Sequence, residues 1–247
     1  MKPLRLAFLG TGDAFSAGGR HLAAYLLEHP GGALLLDCGP TLLASLNRQG
    51  LRADPIDAIL ITHFHGDHFA GLPFFFLHSM YMEPRTRPLK IVGPPGVEQR
   101  VRALFGAMYQ DTAEELLPFE IDFITMKPGE QIALNGATID AFATLHQEDP
   151  PSLGFRVRAG NRTVVYPGDC GWSDSLLEHT AGADLLLLEC SFFETRYEKH
   201  LDYPRIAENL ECFGVKRLVL THLGQEVLDR QGEVALEMAY DGMAINL

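Results

Sequence analysis

Ile59-Leu60-Ile61-Thr62-His63-Phe64-His65-Gly66-Asp67-His68 joins an apolar run to three histidines and an aspartate within ten residues. Ile59 to Thr62 have the β-branched, apolar character of a buried strand. They run directly into four side chains able to bind borderline metals. Side chains alternate along extended chain, so His63 and His65 point to the same side and can meet one cation. Gly66 is expected to permit a sharp turn, after which Asp67 and His68 open a helical turn and can face a second cation.

Outward from this stretch, short apolar runs alternate with amphipathic segments, punctuated by Gly and Pro. The pattern predicts strands over residues 4–9, 22–28, 33–36, 58–61, 89–92, 119–126, 137–143, 153–157, 163–166, 185–189, 217–220 and 244–247. Helices are predicted over 41–49, 97–108, 173–179, 203–213 and 225–228. No linker or short repeat interrupts this order, so residues 1–247 read as one α/β domain. With 47% hydrophobic and 21% charged residues, disorder, collagen and coiled coil are excluded.

The apolar run Gly71 to Leu77 is far shorter than a membrane span of about 18 residues, so no membrane association is expected. The apolar stretch near Met1 is too short for a secretory core and reads as a first strand. Four cysteines without C-x-x-C spacing (Cys38, Cys170, Cys190, Cys212) suggest reduced thiols and a cytoplasmic address. The formal charge is −12, and the one local basic cluster, Arg85, Arg87 and Lys90 followed by Arg100 and Arg102, reads as a solvated rim. A folded nucleic acid is therefore not the expected partner.

The pattern H-x-H-x-D-H over His63 to His68 resembles the signature of the metallo-β-lactamase superfamily. The resemblance extends along nearly the whole chain. It implies a four-layer αββα fold, two mixed β-sheets sandwiched between helices, carrying a dinuclear hydrolase site. The three further ligands of that pattern match His146 in Ala143-Thr-Leu-His146, Asp169 in Tyr166-Pro-Gly-Asp169-Cys170, and His222 in Leu218-Val-Leu-Thr-His222. By that match His63, His65 and His146 hold one metal, Asp67, His68 and His222 the other, and Asp169 bridges both. Two divalent ions per chain are implied, zinc first, with manganese or iron as alternatives. A bridging hydroxide is the implied nucleophile. Asp37 in Leu34-Leu-Leu-Asp37-Cys38-Gly39 matches a position that orients a metal-bound histidine rather than a ligand. Gly10-Thr-Gly-Asp13 lacks the P-loop pattern and matches the superfamily's glycine-rich first loop.

Within the superfamily, Pro151-Ser-Leu-Gly-Phe155 and Gly71-Leu72-Pro73 are similar to the ribonuclease Z and phosphodiesterase branch. There a strand-end glutamate pairs with a histidine that approaches the scissile phosphate, and Glu189 and His200 occupy those places. Asp67, Glu189 and His200 are the implied catalytic residues. Two departures stand out: residues 155–163 form a plain hairpin where ribonuclease Z carries a Gly/Pro-rich arm, and His200-Leu-Asp replaces its H-S-T. Hydrolysis of small phosphodiesters such as cyclic nucleotides is therefore expected. The alternatives are a ribonuclease Z-like tRNA 3′ endonuclease and a hydrolase of lactones, thioesters or sulfate esters. Phe74, Phe75, Phe76, Leu77, Met80, Tyr81 and Met82 exceed what one helix face needs, which predicts a homodimer.

Overall fold

The computed structural model of the protein describes residues 4–113 and 117–247. Strands β1 (Arg5–Gly10), β2 (Ala24–His29), β3 (Gly32–Leu36), β4 (Ala58–Leu60), β5 (Leu89–Gly93) and β6 (Ile121–Thr125) build one sheet. A second sheet holds β7 (Gln131–Leu134), β8 (Ala137–Glu148), β9 (Pro151–Ala159), β10 (Arg162–Tyr166), β11 (Leu185–Glu189), β12 (Leu218–Thr221) and β13 (Glu237–Met238). The last strand, β14 (Ala244–Asn246), returns to the first sheet beside β1. Both sheets are mixed: β1, β2 and β3 are antiparallel and β3 to β6 parallel, while β7 to β10 are antiparallel and β10 to β13 parallel.

Each sheet is buried on both faces, which is why its central strands read as continuous apolar runs rather than alternating ones. Leu6, Phe8, Tyr25, Leu34 and Leu36 meet Ile139, Phe155, Val164 and Leu187 between the sheets. Their sequence neighbours Ala7, Leu9, Leu26 and Leu35 face outward to α1 (Leu42–Gln49), α3 (Leu72–Tyr81) and α4 (Val97–Met108). Between α1 and α4 on the chain, the four-residue α2 (Gly66–Phe69) precedes α3, and α5 (Gln110–Ala113) follows α4. Leu186, Leu188 and Leu220 face α6 (Asp174–Thr180), α7 (Tyr203–Glu208) and α8 (Gln225–Asp229). The result is the αββα sandwich with two mixed sheets.

The structure departs from the sequence reading at several places. Residues 203–213 are not one helix: α7 ends at Glu208, and Asn209, which caps it with a side-chain bond to Arg205 O, leaves helical geometry with ψ 14° before a 3₁₀ turn at Leu210–Phe213. Gly66 is the first residue of α2 and needs no positive φ, so the turn there is not a glycine device. Arg85 is no solvated rim residue. Only 1% exposed, it donates to Arg87 O, Asp54 O and Pro88 O, while Arg87 pairs with Asp57 and Lys90 with Asp122. Of the aromatic run in α3, Phe75 and Phe76 are core, and the exposed remainder is Tyr81 with Met82 just beyond. No helix among the described residues is long and apolar enough to cross a membrane, and Cys38, Cys170, Cys190 and Cys212 are all unpaired.

Candidate metal centre

The chemistry-bearing side chains gather beyond the carboxyl ends of strands, where open α/β sheets offer their binding crevice. Asp37 follows β3, His63 to His68 follow β4, Asp169 follows β10 and His222 follows β12; Glu189 ends β11. His146 lies inside β8, in the stretch after Ala143 where the register with β9 shifts and the ladder releases the chain. The first sheet thus supplies His63, His65, Asp67 and His68, and the second supplies His146, Asp169 and His222. Gly168 takes φ +68° against the Thr62 side chain, and any Cβ there would collide with it, so this glycine lets the Asp169 turn close on the His63 strand end. Asp37 and His222 themselves adopt positive φ, 57° and 49°, an uncommon conformation for such residues that the surrounding bonds enforce.

Two ligand groups result. One atom from each of His63, His65, His146 and Asp169 lies within 4.8 Å of the others, and the same holds for Asp67, His68, Asp169 and His222. Asp169 divides its oxygens: Oδ1 lies 3.2 Å from His68 Nε2 and 3.3 Å from His222 Nε2, and Oδ2 lies 4.0 Å from His63 Nε2 and 3.9 Å from His146 Nε2. Asp67 Oδ2 lies 3.2 Å from His68 Nε2 and 3.3 Å from His222 Nε2. Ligands about 2.1 Å from a tetrahedral cation stand roughly 3.4 Å apart, close to these spacings.

The surrounding bonds aim the lone pairs inward. The Nδ1 atoms of His63, His68, His146 and His222 contact Thr62 Oγ1, Asp37 Oδ2, Lys199 O and Ser191 Oγ at 2.8–3.1 Å, leaving each Nε2 for the centre. His65 instead turns Nδ1 inward, 3.1 Å from His146 Nε2. His63 Nε2, His68 Nε2 and Asp169 Oδ1 are buried without a hydrogen bond, a costly arrangement unless a cation satisfies them.

Electrostatics agree. Burial above all holds His63, His65 and His146 below the ordinary imidazole value, so their lone pairs are available at neutral pH. Burial also opposes charge on His68 and His222, but Asp169 and the neighbouring carboxylates outweigh it, raising His68 well above its ordinary value and pushing His222 up to about 9. Asp67 and Asp169 lie below the usual carboxylate range despite burial, held there by His68 and His222. This half of the site demands positive charge, which cations can supply in place of protons. The residues fit a dinuclear metal centre.

Asp37 is fully buried behind it. Its oxygens accept from Thr62 N, Thr62 Oγ1, His68 Nδ1 and Tyr166 OH. Glu189, buried at the end of β11, contacts His200 Nδ1 at 2.7 Å through Oε1, which also accepts from Cys170 N. Its Oε2 accepts from Ser191 Oγ, which lies 3.1 Å from His222 Nδ1. Glu189 therefore stands behind two histidines, one directly and one through Ser191. The role of Ser191 was missed in the sequence, although Glu189-Cys-Ser191 places both on one side of extended chain. Gly224 lies so close to Ser191 O that a Cβ would overlap it, which lets the His222 loop seat against Ser191. Burial lowers the His200 pKa, but the bond to and charge of Glu189 prevail and raise it.

A cavity of about 330 Å³ opens over these groups, lined by Asp13, Ala14, Phe15, His65, Asp67, Asp169, Ser191, Phe192, His200, His222, Gln225 and Glu226. Among the described residues no lysine or arginine lines it.

Comparison with known proteins agrees with this geometry. A family model described as "Anti-Pycsar protein Apyc1" matches residues 4–239. The ribonuclease Z of Lachnoclostridium phytofermentans is 30% identical over 271 aligned positions, covering 89% of this chain and 87% of that protein. That alignment is longer than the 247-residue chain, so the relative carries residues without counterpart here. The short form of human tRNase Z (ELAC1) superposes with a TM-score of 0.78 at 27% identity over 98% of both chains. The metallo-β-lactamase fold protein YhfI from Bacillus subtilis has a TM-score of 0.80 at 23% identity over all of both chains, a likeness of fold. The chain belongs to the metallo-β-lactamase superfamily, in its ribonuclease Z and phosphodiesterase branch, and within it to the family described as Anti-Pycsar protein Apyc1.

Proposed function

We propose that this metal-dependent hydrolase cleaves small phosphodiesters, cyclic nucleotides among them. The observation that carries the reading is the Glu189–His200 pair, set beside Asp169 in a cavity of about 330 Å³ with no lysine or arginine in its described lining. Two divalent cations, zinc first, one held by His63, His65 and His146 and one by Asp67, His68 and His222 with Asp169 between, would supply Lewis acidity and an acidified water as nucleophile. The chain's own residues do the rest. Glu189 favours the cationic form of His200, whose Nε2 is left to stabilise charge on the phosphoryl group or protonate the leaving oxygen. Ser191 holds the His222 ring. Asp37 holds that of His68.

Several features support a small substrate. The cavity is at the lower end of small-molecule clefts. A polyanion needs Lys and Arg contacts, and none is among the described residues of its lining. The β9–β10 connection is the two-residue turn Gly160-Asn161, with Ala159 paired to Arg162, which leaves no room for an arm. A ribonuclease Z-like tRNA endonuclease is the second reading, favoured by the names of the relatives. Unpaired thiols suit a reducing cytoplasm. Exposed Tyr81 and Met82 carry the homodimer reading, which a monomer mass by light scattering would remove.

Turnover of metal-loaded protein on cyclic nucleotides, precursor tRNA, a lactone and a thioester tests the reading. Cyclic nucleotides should be cleaved fastest, and His200→Ala should cost about 10²–10⁴-fold in kcat on them, less on a nitrophenyl ester whose leaving group needs little protonation. Preferential cleavage of precursor tRNA moves the conclusion to the endonuclease. Lactone or thioester hydrolysis indifferent to His200 removes phosphodiester chemistry.

A further inference from the structure

Phe15 is 90% exposed, the most exposed large apolar side chain among the described residues. A phenyl ring left in water contributes nothing to the core, yet the chain holds it firmly. Asp13 Oδ1 accepts from Phe15 N and Ala17 N, Ser16 takes a left-handed φ of 55°, and Gly18 N donates to Gln225 Oε1 at 3.2 Å. Gln225 Nε2 in turn bonds Asp229 Oδ1. The loop is thereby folded on Asp13 and fastened to α8 beside it, with Phe15 lining the cavity that holds Asp169 and His200. Phe192 lines the same cavity, on a segment pinned by Glu226, whose carboxylate accepts from Phe193 N, Glu194 N and Thr195 N.

We propose that Phe15 is a positioning residue: the heterocyclic base of a nucleoside phosphodiester stacks on it while the phosphate sits over Asp169 and His200. The inference rests on the small-phosphodiester reading and adds how such a substrate is held. Charge favours a base at this rim. Asp13 and Glu226 are acidic and, among the described lining residues, no lysine or arginine is present to neutralise another phosphate, so a flat neutral group is what the rim accepts. Hydrogen bonding points the same way, because Asp13 Oδ1, Gln225, Glu226 and Ser191 Oγ are engaged within the protein. Beside Asp13 Oδ2, an acceptor that an exocyclic amino group could meet, the aromatic face of Phe15 is what remains. Stacking on it is tolerant of base identity, since every base has a π-face.

The test compares a 3′,5′-cyclic nucleotide with its abasic cyclic ribose phosphate on the metal-loaded protein. Wild type should favour the base-bearing substrate in KM by about 5–150-fold, the range of base–aromatic stacking, Phe15→Ala should erase the preference, and Phe15→Trp should restore it. Metal content checks that the variants fold. No preference in wild type, or a preference that survives in Phe15→Ala, overturns the role. If wild type cleaves no cyclic nucleotide, the small-phosphodiester reading fails separately, and calorimetric titration with a nucleoside monophosphate and with ribose 5-phosphate decides the stacking. Tighter nucleotide binding lost in Phe15→Ala sustains it, and equal affinities overturn it.

Discussion

Replacing Asp37 by Asn keeps shape and volume but sets a bind that the geometry makes explicit. With the amide nitrogen in place of Oδ2, it faces His68 Nδ1 at 2.8 Å and Tyr166 OH at 2.7 Å. The tyrosine can rotate and accept, but His68 can accept at Nδ1 only by moving its proton to Nε2, the atom aimed at Asp67 and Asp169. With the amide flipped, its nitrogen meets Thr62 N at 2.8 Å, a backbone donor that cannot turn. Either state leaves a buried donor unsatisfied or removes a ligand lone pair. The first costs about 1–3 kcal/mol. The second costs about 10–100-fold in metal affinity. At about 2–4 °C per kcal/mol for a chain of this size, calorimetry of Asp37→Asn should give a Tm about 2–12 °C lower. Competition with a chromophoric chelator should find one of two cations weakened and the other unaffected. Wild-type affinity at both sites, with Tm within about 1 °C, would refute the reasoning.

The metal-free chain should be pH-sensitive through His222. Its folded pKa of about 9 exceeds the ordinary 6.5, so its stabilising contribution is complete below 6.5 and is lost as pH rises to about 9. Scans of chelated protein should lose Tm across that window while the loaded protein does not, and a flat chelated profile contradicts it. Cation binding at pH 7.5 should also release protons, read as a dependence of calorimetric heat on buffer ionisation. Glu226→Ala frees the amides of Phe193, Glu194 and Thr195, so their hydrogen exchange should accelerate and kcat fall by less than in His200→Ala; unchanged exchange would count against the pin. Arg85→Met strips bonds from three carbonyls and should cost about 1–3 kcal/mol or more in denaturant unfolding with kcat intact. A stability equal to wild type would mean water replaces the guanidinium.

The central strands were legible because burial on both sheet faces writes itself as runs such as Leu185 to Leu188. β7 and β13 were not: Gln131 and Glu237 are exposed, and short edge strands carry little apolar signal. The site clustering was readable where spacing or motif carried it, as in His63 to His68, Asp169 and Glu189 with His200. What spacing cannot carry is the second use of a residue. The spacing puts Ser191 on the same side as Glu189, but nothing local shows that its hydroxyl also reaches His222. Arg85 looked like surface because a guanidinium normally is; its burial depends on carbonyls of Asp54 and Pro88, brought to it by the fold. Phe15 was invisible for the converse reason, since one phenylalanine in a glycine-rich loop reads as core until its surroundings are known.

The division of the ligands between the two sheets has a consequence for the integrity of the chain. His63, His65, Asp67 and His68 come before the exposed turn at 127–130, and His146, Asp169 and His222 after it. Neither half holds a full ligand set, so a cation seated in either group clasps one half of the molecule to the other. A proteolytic nick in that turn leaves a complex that survives while the clasp is closed. Chelation would open it and leave the two fragments joined by the intersheet core, by β14 and by hydrogen bonds such as those from Tyr166 OH to Asp37 and from Gly18 N to Gln225, so the looseness of the nicked pair would report metal supply.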